Sequence, residues 1–314
     1  MLRIGVIGAG RWGQNHLRVF SELPCDLVGL ADSDVAKREL AERYSVEYKE
    51  DYHDLLSLVD AVSVATPADT HYRLAKDCLL VGKHVFVEKP LALNSKEARE
   101  IVDLANREKL VLAVGYLFRF NPAVVKLKEE LRNVGHIHYI ALSSVHSNES
   151  LPKDSGIIFD VASHLFDILN FVLGKMPQRI FCKMIHYLSQ EREECALISL
   201  DYGDFIASLE VSCFHPLKKR DAWVIASKQS IYVDFLEQRV RKYASEIAPD
   251  KAVNRDILDV EIDKREPLKG ELRHFIECIE NKREPVNSGE EGCLTTRLCE
   301  LALESAAKGK ELTV

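Results

Sequence analysis

The chain has 314 residues, of which 46% are hydrophobic and 29% charged, with a formal net charge of −7 and a pI near 5.9. That length holds about two domains, each with its own core. The acidic balance argues against a broad nucleic-acid-binding face, and no apolar run reaches the ~18–20 residues of a membrane helix.

The opening MLRIGVIGAG reads as a first strand rather than a signal peptide, because it lacks a basic region and a small-residue cleavage site. Eight cysteines without C-x-x-C spacing lie mostly in apolar segments, which fits reduced core thiols in a cytoplasmic protein, with no metal site and no disulfide framework. Leu2 to Ile7 leads into Gly8-Ala9-Gly10-Arg11-Trp12-Gly13 and then an amphipathic segment, Gln14 to Leu23. This is the G-x-G-x-x-G context of strand, tight turn and helix. Its glycines let the backbone approach a pyrophosphate at a helix start, where free N–H groups and the helix dipole favour an anion. The second strand, Asp26 to Ala31, ends at Asp32, about 20 residues after the turn, where a carboxylate can accept hydrogen bonds from both hydroxyls of an adenosine ribose. Against that carboxylate a 2′-phosphate would bring like charges together, so NAD is expected over NADP, with Arg11 or Lys37 softening the repulsion.

A helix near 34–44, a short strand near 46–48 and a brief helix around 52–56 continue the alternation. Ala61 to Ala65 is a buried strand that ends in Thr66-Pro67, and a helix over 69–81 follows. Val85-Phe86-Val87 then runs straight into Glu88-Lys89-Pro90, an apolar strand ending at an acid, a base and a proline. Ligands of open α/β sheets collect at such carboxyl ends, where an ammonium can donate a hydrogen bond or exchange a proton. Taken alone, Glu88 and Lys89 read as ordinary loop residues. The Lys89-Pro90 peptide is a candidate for the cis form, which an X-Pro bond adopts at a cost of only ~0.5–1 kcal/mol. With a helix at 95–108 and a strand at 110–114, these βαβ units make a doubly wound parallel sheet that ends near residue 120.

Beyond it the rhythm changes. A helix over 122–133, a strand over 138–145, a polar loop over 146–155 and a long amphipathic helix over 159–173 precede strands at 179–186, 194–200, 205–213, 222–226 and 230–235. Successive strands with short turns predict a mostly antiparallel sheet with one face covered by the 159–173 helix. Two helices, near 268–281 and 289–308, close the chain. Asp160 and His164 are four apart, so on a helix they share one face, and the carboxylate can orient the imidazole and raise its basicity as a general base. An acidic first turn with a histidine lying against the sheet explains the same spacing. Asp167 falls on that side too, solvated or paired.

With these residues in view, the chain resembles the Gfo/Idh/MocA family of NAD(P)-dependent oxidoreductases. The matching segments are GAGRWG at 8–13, TPADTH at 66–71, EKP at 88–90, GYLFRFNP at 115–122, SGIIFDVASHLFD at 155–167 and ELRHFIECIENKREPVNSGEEG at 271–292. The resemblance implies an N-terminal Rossmann domain over 1–120 that binds NAD. It also implies an α/β domain over 121–314 that binds substrate and forms homodimers or homotetramers through a large, mostly antiparallel open sheet. Sugars, polyols or nucleotide sugars are the implied substrates, with no nucleic-acid or membrane partner. Lys89, Asp160 and His164 map onto the catalytic group. Gly8, Gly10, Arg11, Trp12, Gly13, Asp32, Thr66, Pro67, His71, Glu88 and Lys89 are the candidate cofactor residues, and Arg119, Asn121, Asp160 and His164 the candidate substrate contacts. His71 also reads as a helix-start residue with no ligand contact, and Arg119 as a structural ion-pair partner. Ser155 and Ala162 stand where many members have glycine.

The chemistry implied is oxidation of a carbinol in an interdomain cleft, with neutral His164 taking the hydroxyl proton, Asp160 assisting it, and Lys89 stabilising the alkoxide and relaying the proton. An NAD-dependent glycosidase, an inositol or polyol dehydrogenase and a non-catalytic NAD-binding regulator are the rival readings. Within the family the 271–292 segment looks most like the nucleotide-sugar branch. A UDP-N-acetylhexosamine oxidised at its 3-hydroxyl is therefore the expected substrate, its diphosphate held by Arg119, Lys153 and the Lys218-Lys219-Arg220 run. That run also reads as a solvated turn.

Overall fold

The computed structural model describes residues 1–147, 155–187, 192–248 and 250–314, which form two compact units. The first comprises Met1–Leu117 and Leu268–Thr296, the second Phe118–Pro267 and Arg297–Val314.

In the first unit the apolar runs become strands β1 (Arg3–Ile7), β2 (Asp26–Ala31), β3 (Glu47–Lys49), β4 (Ala61–Val64), β5 (His84–Val87) and β6 (Leu112–Val114). They pair in the order β3-β2-β1-β4-β5-β6, every pair parallel, which is the doubly wound order whose switch point lies between β1 and β4. Helices α1 (Arg11–Ser21), α2 (Arg38–Tyr44), α3 (Tyr52–Leu56), α4 (His71–Leu80) and α5 (Ser95–Glu108) connect them. One face of the sheet buries Leu55, Leu74, Leu79, Ile101 and Val102 in one core cluster, and the other buries Leu17, Phe20 and Phe86 in a second. The second cluster also takes Leu268, Leu272, Phe275 and Ile276, with the Phe275 ring 5.7 Å from Phe86. The expectation that everything beyond residue 120 belongs to the second domain therefore does not describe Leu268–Thr296. That segment returns to the first sheet, where Ser288 bridges Ala113 and Asn287 Nδ2 donates to Val114 O at 2.7 Å.

The second unit is built on a nine-stranded sheet. Its strands are β7 (Ile137–Ser147), β8 (Arg179–Ile185), β9 (Cys195–Asp201), β10 (Ile206–Ser212), β11 (Phe214–Ala226), β12 (Gln229–Asp234), β13 (Arg239–Ala248), β14 (Lys251–Val260) and β15 (Leu312–Thr313). They run in the order β14-β13-β12-β11-β7-β10-β9-β8-β15, and among the described residues only β7 and β10 pair in parallel. α6 (Pro122–Glu130) and α7 (Ser163–Leu173) belong to this unit, while α8 (Pro267–Glu280) and the start of α9 (Gly289–Lys308) belong to the first. Strand alternation sorts the sheet's residues. Ala196, Ile198 and Leu200 are buried along β9, whereas Leu197 between them is 59% exposed and borders an open groove with Phe181, Glu210 and Trp223. The β13–β14 hairpin escaped the sequence reading because its charged residues alternate with apolar ones too sparsely to make an apolar run. Strand β11 begins at Phe214 and not at 222, so Lys218, Lys219 and Arg220 lie within a strand and not in a turn. Among the described residues no helix is long and apolar enough to cross a membrane.

Candidate active site

The turn after β1 is shaped for a close-lying anion. Gly8 adopts φ +93°, where a Cβ would come within 2.7 Å of Ala65 O, and a Cβ on Gly13 would meet Gly8 O at 1.9 Å. Neither position tolerates a side chain. Gly10, the N-cap of α1, faces open space, and the helix start has neither a side-chain cap nor an acidic residue in its first turn. Its N–H groups and dipole are thus left to a negatively charged group. Arg11 and Trp12 are exposed on that first turn. Asp32 is half-buried at the end of β2, where Oδ2 accepts from Ala9 N at 2.6 Å and Oδ1 from Asp34 N at 2.9 Å. The carboxylate is therefore held beside the glycine turn. Glycine spacing, uncapped helix start and pinned carboxylate together fit the pyrophosphate and ribose of a dinucleotide.

At the end of β4, Thr66 Oγ1 meets Thr70 Oγ1 at 2.6 Å, and Thr70 Oγ1 in turn donates to the carbonyl of the exposed Pro67. His71, expected at the cofactor or at a helix start, is the first residue of α4 and is 1% exposed. Its Nδ1 lies 2.7 Å from Pro90 O and its Nε2 2.9 Å from Thr66 O. The ring therefore braces the strand-end loops from within. At the end of β5, Lys89 is half-buried and the Lys89–Pro90 peptide is cis. Glu88, expected among the cofactor ligands, turns inward instead. It is 5% exposed, with Oε1 3.0 Å from His16 Nε2 and Oε2 accepting from Lys89 N at 3.2 Å.

In the second unit the expected long helix opens with a π-turn over Ile158–Ala162 that carries Asp160, and regular α7 begins only at Ser163. π-turns inside helices occur often at functional sites. Asp160 and His164 are both half-buried on successive turns, and the imidazole stands edge-on to the Phe118 ring at 5.2 Å. A carboxylate absent from the sequence reading anchors this turn: Glu193 Oε1 accepts from Ile158 N at 3.0 Å and lies where a Cβ on Gly156 would be, so only glycine fits at 156. The Arg220 guanidinium lies over the Phe118 ring that His164 meets edge-on, 6.0 Å from its centroid. His146 on β7 joins the cluster; burial lowers its pKa first, Arg220 and Lys218 lower it further, and Asp160 opposes them.

Arg119 and Asn121 are placed differently from exposed substrate contacts. Arg119 is 4% exposed and forms a buried ion pair with Asp167, Nη2 to Oδ1 at 2.7 Å, the structural alternative for this residue. Asn121 caps α6 by accepting from Ala123 N at 2.9 Å and donates from Nδ2 to Phe235 O at 2.9 Å. The basic run divides by strand alternation. Arg220 pairs in register with buried Ser144 on the face that carries the His164 cluster, whereas Lys219 reaches Asp221 at 3.1 Å on the groove side. Lys153 lies outside the described residues.

The family model described as an oxidoreductase family, NAD-binding Rossmann fold, matches residues 2–116, and that of an oxidoreductase family, C-terminal alpha/beta domain, matches residues 132–314. The chain is 25% identical to the inositol 2-dehydrogenase of Rhizobium meliloti, covering 100% of this chain and 99% of the relative. It is 26% identical to the UDP-N-acetylglucosamine 3-dehydrogenase of Acidithiobacillus ferrooxidans over 88% of each chain. A solved structure of the latter enzyme superposes with a TM-score of 0.88 at 23% identity, covering 98% of both chains, which shows a shared fold.

Proposed function

Since the chain belongs to the Gfo/Idh/MocA oxidoreductase family and is an NAD-dependent dehydrogenase acting on hydroxyl donors of the sugar type, we propose that its substrate is a nucleotide sugar, a UDP-N-acetylhexosamine oxidised at its 3-hydroxyl. The observation that carries the finer assignment is the position of Arg220, a guanidinium on the same face of the sheet as the Asp160 and His164 cluster, with Lys218 two residues away in the strand. Guanidinium and ammonium groups form charge-assisted hydrogen bonds with phosphate, roughly twice as strong as neutral ones, and a free polyol offers them no anion.

Bound NAD supplies the acceptor for the hydrogen leaving the carbinol carbon. His164 takes the hydroxyl proton, and its ring is held edge-on by Phe118. Asp160 favours the imidazolium that results, and Lys89 donates a hydrogen bond to the oxygen as its charge grows. The glycine turn with Arg11 and Trp12 would hold the pyrophosphate, Asp32 the adenosine ribose, and the Thr66-Pro67 loop the nicotinamide end. The groove face of the second sheet, where Phe181, Leu197 and Trp223 lie together, is proposed to join copies of the chain; a monomeric mass of 35.6 kDa by sedimentation would rule this out.

The test is NADH formation with UDP-N-acetylglucosamine, myo-inositol and glucose offered separately. The nucleotide sugar is expected to give the highest kcat/KM, and Arg220→Ala to lower it by at least ~10-fold, the scale of a charge-assisted contact. Faster turnover of inositol or glucose by the parent would discard the nucleotide-sugar assignment and leave the dehydrogenase standing. Cleavage of a glycoside without net NADH would instead mark an NAD-dependent glycosidase.

Cofactor choice is tested on the same preparation. Asp32 already accepts two backbone N–H groups, so it cannot swing away from a 2′-phosphate without losing both. NAD is therefore expected to bind at least ~10-fold more tightly than NADP, about the 1.4 kcal/mol that a modest like-charge contact supplies. Equal dissociation constants would contradict this role of Asp32.

A further inference from the structure

Glu88 is a buried carboxylate one residue before the proposed catalytic lysine, and three separate stretches of the first unit are shaped around it. His16, fully buried on α1, places Nε2 3.0 Å from Glu88 Oε1 and Nδ1 2.7 Å from Ser63 Oγ on β4. With a carboxylate on one side, Nε2 is the donor, and in the neutral ring Nδ1 then accepts from the serine hydroxyl. Glu88 Oε2 accepts the amide of Lys89 itself, at 3.2 Å. A Cβ on Gly115 would lie 2.7 Å from Oε2, so the carboxylate fits only because residue 115 has no side chain.

On the other side of the lysine, His71 holds Pro90. Its two ring nitrogens face the carbonyls of Pro90 and Thr66 at 2.7 and 2.9 Å. A neutral imidazole donates to one of these at a time, the imidazolium to both.

This arrangement is expensive for a merely packed strand end. Burying a carboxylate is costly before its partners offset it, and an apolar residue against Gly115 would avoid that cost. What the carboxylate adds is direction. A lysine side chain has four freely rotating carbons, so the fold can fix its ammonium only by fixing the backbone from which it starts and the walls it runs along. A misplacement of about 1 Å in a reacting group costs on the order of 100-fold in rate.

We infer that His16 and His71 are positioning residues, clamping the two neighbours of Lys89 from opposite sides, His16 through the Glu88 carboxylate and His71 through the Pro90 carbonyl. The clamp rests on Lys89 being a catalytic group. It ties that lysine to both cofactor-binding turns, because His16 stands on the helix opened by Gly8–Gly13 and His71 follows the Thr66-Pro67 loop. Registration of the lysine with the dinucleotide is then built into the sheet.

The experiment compares His16→Phe, His16→Gln, Glu88→Gln and Lys89→Ala in the full chain, with NAD and whichever of UDP-N-acetylglucosamine, myo-inositol and glucose the parent oxidises fastest. Phenylalanine at 16 keeps the edge contacts that His16 makes with Phe86 and Phe20 but removes both hydrogen bonds. It should lower kcat per NAD-binding site by ~10–100-fold, the scale of a displaced reacting group, with KM for NAD and sugar within about 3-fold of the parent. His16→Gln, which restores an N–H donor, should recover most of that loss. Glu88→Gln should lose as much as His16→Phe, because one amide cannot accept from both His16 and Lys89. A purely structural role predicts a smaller NAD-binding fraction with unchanged kcat per site, and that result overturns the clamp. So does His16→Gln performing no better than His16→Phe. If His16→Phe does not fold, Glu88→Gln decides alone, and parent-like kcat there overturns the inference. Lys89→Ala separates the two levels. If it is as active as the parent, the lysine's own role fails; if it is inactive while the His16 and Glu88 variants turn over at the parent rate, only the clamp fails.

Discussion

Replacing Lys89 by alanine is expected to lower turnover by at least ~100-fold while leaving the affinity for NAD nearly unchanged, the usual scale for loss of a proton-transfer or charge-stabilising group. The residue is half-buried at the carboxyl end of β5, beside the switch-point strand β4, where open parallel sheets gather their ligands. On the proposed mechanism its removal takes away the donor for the developing alkoxide, while the glycine turn and Asp32, proposed to hold the dinucleotide, remain. Lys89→Arg sharpens the result. A guanidinium keeps the charge but does not release a proton near neutral pH, so recovery in this variant would assign the lysine to charge stabilisation and continued loss would assign it to proton relay. The measurements are NADH absorbance for turnover and fluorescence titration for NAD. Equal turnover in Lys89→Ala and parent would remove the residue from the mechanism.

The second large effect is on stability and concerns Arg119. Its guanidinium and the Asp167 carboxylate are both almost wholly buried, and the pair also lies beside the Phe171 ring, whose centroid is 5.3 Å from the guanidinium carbon. Removing one member of such a pair leaves the other charge in a medium that solvates it poorly, at a cost of about 3–5 kcal/mol. For a chain of this size Arg119→Ala should then lower the Tm by roughly 10 °C, taking ~2–4 °C per kcal/mol. Replacing the pair together, Arg119→Met with Asp167→Leu, should recover much of the loss, because no isolated charge remains. The measurement is thermal unfolding followed by circular dichroism, alongside KM for the sugar. An unchanged Tm with a raised KM would return Arg119 to the substrate contacts and end the buried-pair account.

Residue types and local spacing determined much of this protein. The glycine turn, the acid at the end of β2, the alternation of apolar strands with amphipathic helices and the abrupt Glu88-Lys89-Pro90 ending are all local patterns, and each is legible because backbone sterics and periodicity act over a few residues. Family resemblance supplied the proposed grouping of Lys89 with Asp160 and His164; spacing alone did not distinguish the last two from a helix start lying against a sheet. Only the tertiary structure decided where side chains of ambiguous chemistry point. Glu88 turns to a histidine 72 positions earlier, Arg119 to an aspartate 48 positions later, and the N-terminus of the Asp160 turn to Glu193. The basic run at 218–220 is divided between two faces because β11 extends through it, which no composition argument reveals. The return of Leu268–Thr296 to the first sheet has the same origin: an amphipathic helix shows how wide its apolar face is, but not which of two sheets will cover it. Long-range partner choice depends on burial and on satisfying every buried polar group at once, a condition set by the whole fold and by no single segment.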